Sequence, residues 1–414
     1  MAGLIKCDIA VIGAGVIGLA IAHRLALEGR EVVLIDPDEP GMGASYGNAG
    51  TVADYAMQPV GTPSVLASLP RLLFDRNSPL AIRQAALPAL APWLVRFARQ
   101  CLPAAARRNA QALANLVQDA QPRWTALADA IGGAELLQHR GCLYLYESAR
   151  DLRAAKADMA FRRDLGVAVE MLGPDEIAAL EPGLPPLGGG GAFFPEASFM
   201  VDPSAMVQLL AAAALAEGAG LLRGAVHTLS RGLDGLRLSG PGVQVHARRV
   251  VIAAGAHSRS LAAQAGDKIP LDTERGYHLE WDSPTPRLSR PSCPTARGFY
   301  LCPMRGRLRV AGTVELGGLS APPSPHRIAR LEAGARAFFP DLGPPSRSWM
   351  GFRPSIPDSL PVIGGSQGGP DVVHAYGHGH IGLTLAPLTA EIVADIFSGR
   401  ESARDFSACL PQRF

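Results

Sequence analysis

Two short apolar runs near the N-terminus, at residues 9–12 and 32–35, flank a longer stretch with an apolar face. Runs of this length are typical of parallel strands that are buried on both faces. The stretch between them continues from residue 20 to residue 28 and meets Gly29, and glycine commonly ends helices. The pattern therefore predicts the strand, helix and strand of an α/β unit.

Further along the chain the spacing of apolar residues changes. Residues 60–138 are rich in Leu and Ala and are interrupted by prolines, which predicts short to medium helices that form an added cap. Residues 276–281, 298–303 and 308–313 alternate as strands do, which predicts a mixed or antiparallel sheet in a second domain. The other predicted elements are strands at 141–146, 221–229, 243–246 and 249–258 and helices at 149–165, 204–217 and 326–339.

A glycine motif follows the first apolar run. Gly13 permits a tight turn, Gly15 allows a pyrophosphate to approach the backbone, and Gly18 lets the helix pack closely on the strand. Asp36, at the end of the second run, can accept from a ribose hydroxyl, which disfavours a 2′-phosphate and therefore NADP. The alternative is an ordinary glycine-rich turn, but the flanking elements favour a dinucleotide site. The motif alone does not separate NAD from FAD.

Composition narrows the classes of protein that fit. The 414 residues carry 39 Lys and Arg against 37 Asp and Glu, so no electrostatic case for nucleic acid arises, and the length favours a compact two-domain protein. The 6 cysteines have no C-x-x-C pair or metal-ligand spacing, so we interpret them as reduced thiols and expect no metal site. No apolar run reaches the length of a membrane span. We expect a cytoplasmic protein, at most peripheral on the inner face of the cell membrane.

Three segments resemble one known family. Residues 44–51, Ala-Ser-Tyr-Gly-Asn-Ala-Gly-Thr, look like the flavin-contacting segment of FAD-dependent D-amino-acid dehydrogenases, relatives of D-amino-acid oxidase, glycine oxidase and sarcosine oxidase. Residues 351–364 resemble the family's G-x-R-P…D-x-x-P-x-I-G element. Residues 375–384 resemble its glycine-rich loop that meets the flavin at a helix start. With the N-terminal motif these segments span nearly the whole chain, and the resemblance implies FAD as the cofactor.

The resemblance also implies the architecture. We expect an α/β fold in which a Rossmann-type FAD-binding domain is interleaved with a mixed-sheet α+β substrate domain. The predicted FAD-binding domain is discontinuous and comprises residues 1–56, 202–260 and 347–414, and the substrate or cap domain comprises 57–201 and 261–346. Within the cap, residues 69–74 either dock on a membrane or partner surface or form a buried amphipathic turn, and the buried turn is favoured.

The glycine motif and the resemblance together assign a set of cofactor contacts. Most of them are small residues that let backbone approach a planar ligand. The N-terminal N–H groups of the last helix should meet the part of the flavin that gains negative charge on reduction. The predicted cofactor-binding residues are Gly13, Gly15, Val16, Ile17, Gly18, Asp36, Pro37, Ala44, Ser45, Asn48, Ala49, Gly50, Thr51, Val226, Ala254, Gly255, His380, Ile381, Gly382, Leu383 and Thr384.

Four residues are predicted to act on the substrate. Arg353 lies between Gly351 and Pro354, and its guanidinium suits bidentate binding of an α-carboxylate, although a salt bridge to Asp358 or another acid is the alternative. Tyr300 and His278 would lie on strands of the substrate face, where each either contacts substrate or belongs to the core. The fourth is His380, at the flavin end of its loop. His378 is better explained as a hydrogen-bonding loop residue.

The implied reaction is dehydrogenation of a D-amino acid by hydride transfer from Cα to flavin N5. Positioning and desolvation can perform most of it, so we assign no general base. The sequence His378-Gly-His380 departs from the D-alanine-type dehydrogenases, in which threonine commonly follows the His-Gly, and is nearer to enzymes for D-proline or cis-4-hydroxy-D-proline. A dye or quinone, or a component of the respiratory chain, would accept the electrons. The alternatives are an oxygen-using glycine or sarcosine oxidase and a non-catalytic FAD-binding subunit of a heteromeric complex.

Overall fold

A computed structural model describes residues 4–68, 75, 78 and 80–414. The predicted docking segment at 69–74 lies outside these residues. The helices are α1 Val16–Leu27, α2 Pro63–Ala67, α3 Leu87–Gln100, α4 Pro103–Val117, α5 Ala120–Ala130, α6 Ala149–Asp164, α7 Pro174–Leu180, α8 Pro203–Ala216, α9 Ser258–Ala265, α10 Pro325–Phe338 and α11 Gly382–Ser398.

The strands form three sheets. They are β1 Ile5–Ile12, β2 Val32–Asp36, β3 Thr51–Val52, β4 Leu80–Ile82, β5 Leu137–Gln138, β6 Cys142–Tyr146, β7 Glu170–Leu172, β8 Gly190–Phe194, β9 Ser198–Met200, β10 Gly220–Arg223, β11 Thr228–Gly232, β12 Gly235–Gly240, β13 Val243–Ile252, β14 Asp272–Asp282, β15 Ser292–Pro294, β16 Phe299–Met304, β17 Arg307–Leu316, β18 Arg347–Ser355, β19 Val362–Ser366 and β20 Gly369–Tyr376.

An eight-stranded sheet contains the N-terminal unit. Its order is β10-β2-β1-β13-β12-β11, with β20 added to β13 and β19 added to β20. The pairs that join β10, β2, β1, β13 and β20 are parallel. Ile9 and Val11 face one apolar core, shared with α1 and α11, while Ala10 faces another. β1 is therefore buried on both faces, which is why its residues are apolar at successive positions.

A nine-stranded sheet forms the second layer. Its order is β18-β14-β17-β16-β15-β6-β8-β7, with β4 added to β17. Helix α10 packs on one face, where Gly334 lies against the ring of Phe299. Because side chains alternate along a strand, Tyr300 points to the opposite face. The third sheet, β3-β9-β5, is small and contains the end of the 44–51 segment.

The structure confirms the predicted fold class and corrects several elements. The strand predicted at 221–229 is two strands, β10 and β11, because the chain turns at Gly224, whose N–H donates to Asp36 O at 2.9 Å. The two strands predicted at 243–246 and 249–258 are one, β13, which ends at Ile252. The sequence prediction missed β12, and it also missed β4 and β5 within the supposed helical cap.

The domain division stays a prediction, but the sheets bear on one boundary. β18 lies within the segment 347–414 that was given to the FAD-binding domain. It nevertheless pairs with β14 over nine residues in the other sheet. Among the described residues, no helix combines the length and apolar character needed to cross a membrane.

Candidate active site and cofactor groove

The turn between β1 and α1 is built on close backbone contacts. Gly13 has φ +108°, and a Cβ at this position would lie 2.5 Å from the carbonyl oxygen of Ala253. A Cβ on Gly18 would lie 1.9 Å from the carbonyl oxygen of Gly13. In contrast, a Cβ on Gly15 would meet only the Ser45 hydroxyl, at 3.4 Å. Gly13 and Gly18 are thus required by packing, and Gly15 leaves the helix start open.

Asp36 closes the other side of this turn. Its Oδ2 accepts from the N–H of Ala14 at 2.7 Å, and its Oδ1 accepts from the N–H of Asp38 at 2.9 Å. Burial raises the pKa of Asp36, although both N–H groups oppose that shift. The carboxylate is therefore fixed at the end of β2, the position at which the glycine motif predicts a ribose contact.

The segment 44–51 lies between the two large sheets. Ser45 Oγ accepts from the N–H of Val16 at 3.0 Å, which connects the segment to the start of α1. On the other side, Arg309 donates to the carbonyl oxygen of Asn48 at 2.6 Å. Gly50 has φ +78°, and a Cβ there would lie 2.6 Å from the carbonyl oxygen of Met200. The conformation of this segment is therefore set by both sheets.

A second helix start converges on this region. The loop before α11 is attached to β18 by the N–H of Gly379, which donates to the carbonyl oxygen of Pro354 at 2.8 Å. The N-cap residues of α1 and α11, Gly15 and Ile381, make no side-chain cap bond, and at the start of α1, within the described part of the chain, only the N–H of Val16 is taken, by Ser45. Uncapped helix starts present N–H groups to anionic ligands. These two starts, with Asp36 and the 44–51 segment, fit FAD: α1 would meet the pyrophosphate and α11 the flavin.

Other predicted cofactor-binding residues differ in position and in exposure. Ala254 and Gly255 follow β13, beside the glycine turn, and Thr384 Oγ1 accepts from the N–H of Ala53 at 3.0 Å. Val226 is half-buried in the connection between β10 and β11, and Pro37 is exposed after β2. Their cofactor contacts stay predictions.

Arg353 lies on β18, directly opposite Glu274 of β14. Its Nη1 donates to the carbonyl oxygen of Thr313 at 3.1 Å, and its guanidinium covers Gly276 so closely that a Cβ there would lie 2.3 Å from Cζ. The predicted alternative partner, Asp358, instead forms an ion pair with Arg413 at 2.9 Å. Among the described residues, no carboxylate lies within ion-pair distance of Arg353.

Thr313 lies at an irregular point in the sheet. The register between β14 and β17 shifts opposite Gly276, so β17 contains an extra residue there. Thr313 has φ +57°, which is unusual for a β-branched residue. Its hydroxyl is buried without a hydrogen-bond partner among the described residues. The bulge directs the Thr313 carbonyl towards Arg353 at the cost of local backbone strain.

Glu274 and His380 form a pair beside Arg353. Nε2 of His380 lies 2.8 Å from Oε2 of Glu274, and the hydroxyl of Ser355 donates to Oε1 at 2.7 Å. Burial alone would raise the pKa of Glu274, but His380, Ser355 and Arg353 together lower it to about 2. Glu274 is therefore an ionised carboxylate, while the His380 side chain is 39% exposed.

His278 shares the sheet face of Arg353 but is 1% exposed. Its Nδ1–H donates to the carbonyl oxygen of Gly47 at 3.3 Å, and its ring stacks on Trp349 with centroids 5.2 Å apart. Burial, followed by the charge of Arg309, lowers its pKa to about 4. His278 is thus a neutral residue beneath the 44–51 segment, as in the core alternative, and its contact with substrate stays a prediction.

Tyr300 belongs to a group of tyrosines on the same face. Its hydroxyl donates to that of Tyr144 at 3.3 Å and lies 3.4 Å from that of Tyr55. Burial raises the pKa of Tyr300 well above its usual value, so the phenol stays protonated. The register places Tyr300 in line with Ala311 and His278 across β16, β17 and β14.

His378 occupies the interior of its loop. Its Nε2 lies 3.0 Å from the hydroxyl of Thr389, and burial lowers its pKa to about 3. Its neighbour His380 points towards Glu274. The two histidines, two positions apart in the sequence, therefore have different environments. His378 is buried against Thr389, and only His380 contacts Glu274, the residue opposite Arg353.

The sequence prediction missed Glu274, Trp349 and Arg309. A signal was available for Glu274, because a charged residue at an inward position of a buried strand calls for a partner. Trp349 fills a slot between Gly47 and Gly351, where a Cβ on either glycine would lie 1.9 Å from the indole ring. No local pattern in the sequence marks that contact.

Known proteins are similar to this chain over nearly its whole length. A family described as FAD dependent oxidoreductase (DAO) matches residues 8–396. A protein of Bradyrhizobium diazoefficiens named D-amino-acid oxidase is 37% identical, over 98% of each chain. A protein of Rhizorhabdus wittichii named D-amino acid dehydrogenase is 30% identical, over 95% of this chain and 97% of its own. The crystal structure of glycine oxidase from Geobacillus kaustophilus is similar with a TM-score of 0.77 and 25% identity, over 99% of each chain.

Proposed function

This chain belongs to the DAO family of FAD-dependent oxidoreductases, and on that premise we propose that it dehydrogenates a D-amino acid at Cα. When bound, FAD supplies a two-electron acceptor for a hydride from the substrate. The names of the relatives, D-amino-acid oxidase and D-amino acid dehydrogenase, support this substrate class.

One observation carries the proposal: Arg353 is a half-buried cation without a paired carboxylate among the described residues. A guanidinium in this setting can bind a substrate carboxylate through two parallel hydrogen bonds. The hydrogen bond to Thr313 O fixes one side of the guanidinium and leaves its other donors for substrate. The link between Gly379 and Pro354 keeps this cation next to the loop that precedes α11.

The residues around Arg353 would orient the substrate and exclude water. Binding the carboxylate in one orientation fixes the direction of the Cα–H bond, which is the main requirement of such a reaction. Helix α11 would place positive N–H groups where negative charge develops on the acceptor. The residues that would hold the cofactor are Gly13, Gly15, Asp36, Ser45 and the start of α11.

We further propose a cyclic substrate of the D-proline type, including cis-4-hydroxy-D-proline. The sequence His378-Gly-His380 supports this substrate, because it is nearer to enzymes for D-proline or cis-4-hydroxy-D-proline than to the D-alanine type. A quinone or dye is the proposed electron acceptor.

The test is an anaerobic absorbance titration of the purified holoenzyme. D-Proline, cis-4-hydroxy-D-proline, D-alanine, glycine and sarcosine are each added, with the L-enantiomers of the chiral acids as controls. We expect the cyclic D-amino acids to bleach the flavin band and a dye to restore it quickly. Good turnover of D-alanine without turnover of cyclic substrates would contradict the proposed ring specificity, and a flavin that no amino acid bleaches would contradict the function.

Arg353→Lys provides the matched variant, because it keeps the positive charge but removes the planar pair of donors. Truncating one partner of a buried hydrogen-bonded charge pair costs about 2–5 kcal/mol, so kcat/KM should fall by at least about 30-fold and KM should rise. Retained kcat/KM in this variant, with FAD still bound, would remove Arg353 from carboxylate binding.

The second candidate is an oxidase that uses molecular oxygen. The 37% identity to a protein named D-amino-acid oxidase favours it specifically. The same titration separates the two, because rapid reoxidation of the reduced protein by air with formation of peroxide supports the oxidase. Slow reoxidation by air but fast reoxidation by dye supports the dehydrogenase.

A further inference from the structure

A buried carboxylate lies where the proposed reaction has so far been given no acid or base. Glu274 is 2% exposed and lies opposite Arg353, the residue proposed to bind the substrate carboxylate. An ionised carboxylate here would repel a substrate carboxylate unless another cation balances it. Binding of the substrate carboxylate by Arg353 therefore does not explain why a carboxylate is buried opposite it.

His380, in the loop before α11, can provide that balance once it has taken up a proton. Its Nε2 faces Glu274 at 2.8 Å, and Nδ1 has no hydrogen-bond partner among the described residues. The negative charge of Glu274 favours the ring proton on Nε2, the nitrogen nearer to it, which leaves Nδ1 as the proton acceptor. The exposed side of His380 thus presents an acceptor next to Arg353.

We propose that His380, oriented by Glu274, accepts the proton of the substrate's ammonium group before dehydrogenation. This inference rests on the proposed function. The ammonium N–H bond breaks, its electron pair stays on the substrate nitrogen, and the proton forms a bond to Nδ1 of His380. The substrate becomes a neutral amine and the imidazole becomes an imidazolium.

The charges that face His380 support this proton transfer. They are Glu274 from β14 and Arg353 from β18, while His378 of the same loop stays neutral because burial lowers its pKa to about 3. Before transfer, Arg353 and Glu274 cancel and the amino acid is a zwitterion. Afterwards the imidazolium adjoins Glu274 and the anionic substrate adjoins Arg353. The net charge of the site is unchanged, so the desolvated site pays no penalty for an unpaired charge.

Glu274 itself is a poor acceptor. Its pKa is lowered to about 2, and Ser355 already donates to one of its oxygens. A base works best when its pKa is near the working pH, and the lowered pKa of this carboxylate lies far below it. Glu274 is therefore a positioning residue that stabilises the imidazolium.

The test compares the holoenzyme with His380→Gln, Glu274→Gln and the control His139→Gln, an exposed histidine outside this cluster. Anaerobic flavin reduction by D-proline is followed across pH by stopped flow. We expect His380→Gln to slow reduction about 10²–10⁴-fold at pH 7. The difference should shrink above the pKa of the substrate's ammonium, where the neutral amine is already present. Glu274→Gln should lower the apparent pKa of the rate by about 1–3.

A readout without turnover distinguishes this role from a structural one. Pyrrole-2-carboxylate carries the carboxylate but no basic amine, and its binding is measured by perturbation of the flavin absorbance. We expect His380→Gln to bind it within a few-fold of the unmodified protein. Equal loss of this binding and of reduction, or a pH profile parallel to that of the unmodified protein, would overturn the proposal. If no amino acid reduces the unmodified protein, the proposed function fails, and this role fails with it.

Discussion

The two large sheets bury opposite kinds of side chain. In β1 of the eight-stranded sheet, Ile9, Ala10 and Val11 are 0% exposed. In β14 of the nine-stranded sheet, Glu274 and Arg275 are buried to a similar extent, at 2% and 0% exposed. Residues 9–12 of the first strand can all be apolar because both faces of the strand pack on apolar cores, whereas the second strand requires a partner for each charge.

Two of the buried charges of β14 form ion pairs with charged residues of the adjacent strand β17. Glu280 meets Arg309 at 2.8 Å, and Arg275 meets Glu315 at 3.1 Å. Arg309 also donates to the 44–51 segment. The difference teaches that the cofactor half depends on close backbone approach, while the substrate half depends on paired charges that hold loops and substrate groups in place.

The largest effect should come from the backbone of the cofactor half. In Gly13→Ala, the new Cβ would overlap the carbonyl of Ala253 at a positive φ, so we expect a loss of about 2–4 kcal/mol in unfolding free energy and of most bound FAD. Chemical denaturation and flavin content measure the two effects. Gly43→Ala is the control, because its Cβ would meet nothing within 4 Å and its φ is ordinary. Equal behaviour of the two variants would contradict the steric explanation.

The next effect concerns the paired charges. Arg309→Met removes a partner of buried Glu280 and two hydrogen bonds from Nη1 to the 44–51 segment, so we expect a loss of about 3 kcal/mol in unfolding free energy. Adding Glu280→Gln should recover at least about 1 kcal/mol relative to the sum of the single effects. A denaturation double-mutant cycle measures this coupling. Strict additivity would mean that the ion pair is not what holds this face.

A third difference appears in the dependence on pH. The folded pKa values of His278 and His378, about 4 and about 3, lie below the unfolded value of 6.5. As pH falls from 6.5 towards 4, the unfolded chain takes up protons that the folded chain does not, so stability falls. We expect a loss of about 3 kcal/mol per histidine between pH 7 and pH 4. Thermal unfolding across pH checks it: His278→Gln should flatten the slope, and His139→Gln should leave it unchanged.

The smallest effect tests strain beside Arg353. Thr313→Gly relieves a positive φ of 57° and removes a buried hydroxyl without a described partner, at the cost of glycine's greater chain entropy. We expect a gain of up to about 1 kcal/mol in unfolding free energy. Thr313→Ala removes the hydroxyl but keeps the φ, so it should gain less. A larger gain in the alanine variant would assign the cost to the hydroxyl instead of the backbone.

Local sequence pattern was sufficient to predict several elements of the eight-stranded sheet and its glycine turn. Apolar runs gave β1 and β2, and the glycines gave the turn at Gly13 and the end of α1 near Gly29. Each of these signals lies within one strand or turn, where spacing and φ requirements act directly. The prediction failed at Gly224, where the chain leaves β2 and β11 then pairs with β12 at the other end of the sheet order.

The sequence by itself determined the fold class, the dinucleotide motif and Arg353 as the candidate for carboxylate binding. Only the tertiary structure brought Glu274, Arg353 and His380 together, through the register of β14 with β18 and the hydrogen bond from Gly379 to Pro354. It also paired Asp358 with Arg413 in place of Arg353, and it buried His278 under the 44–51 segment. Periodicity depends on neighbours along the chain, whereas the partner of a buried charge depends on which strands pair and in what register.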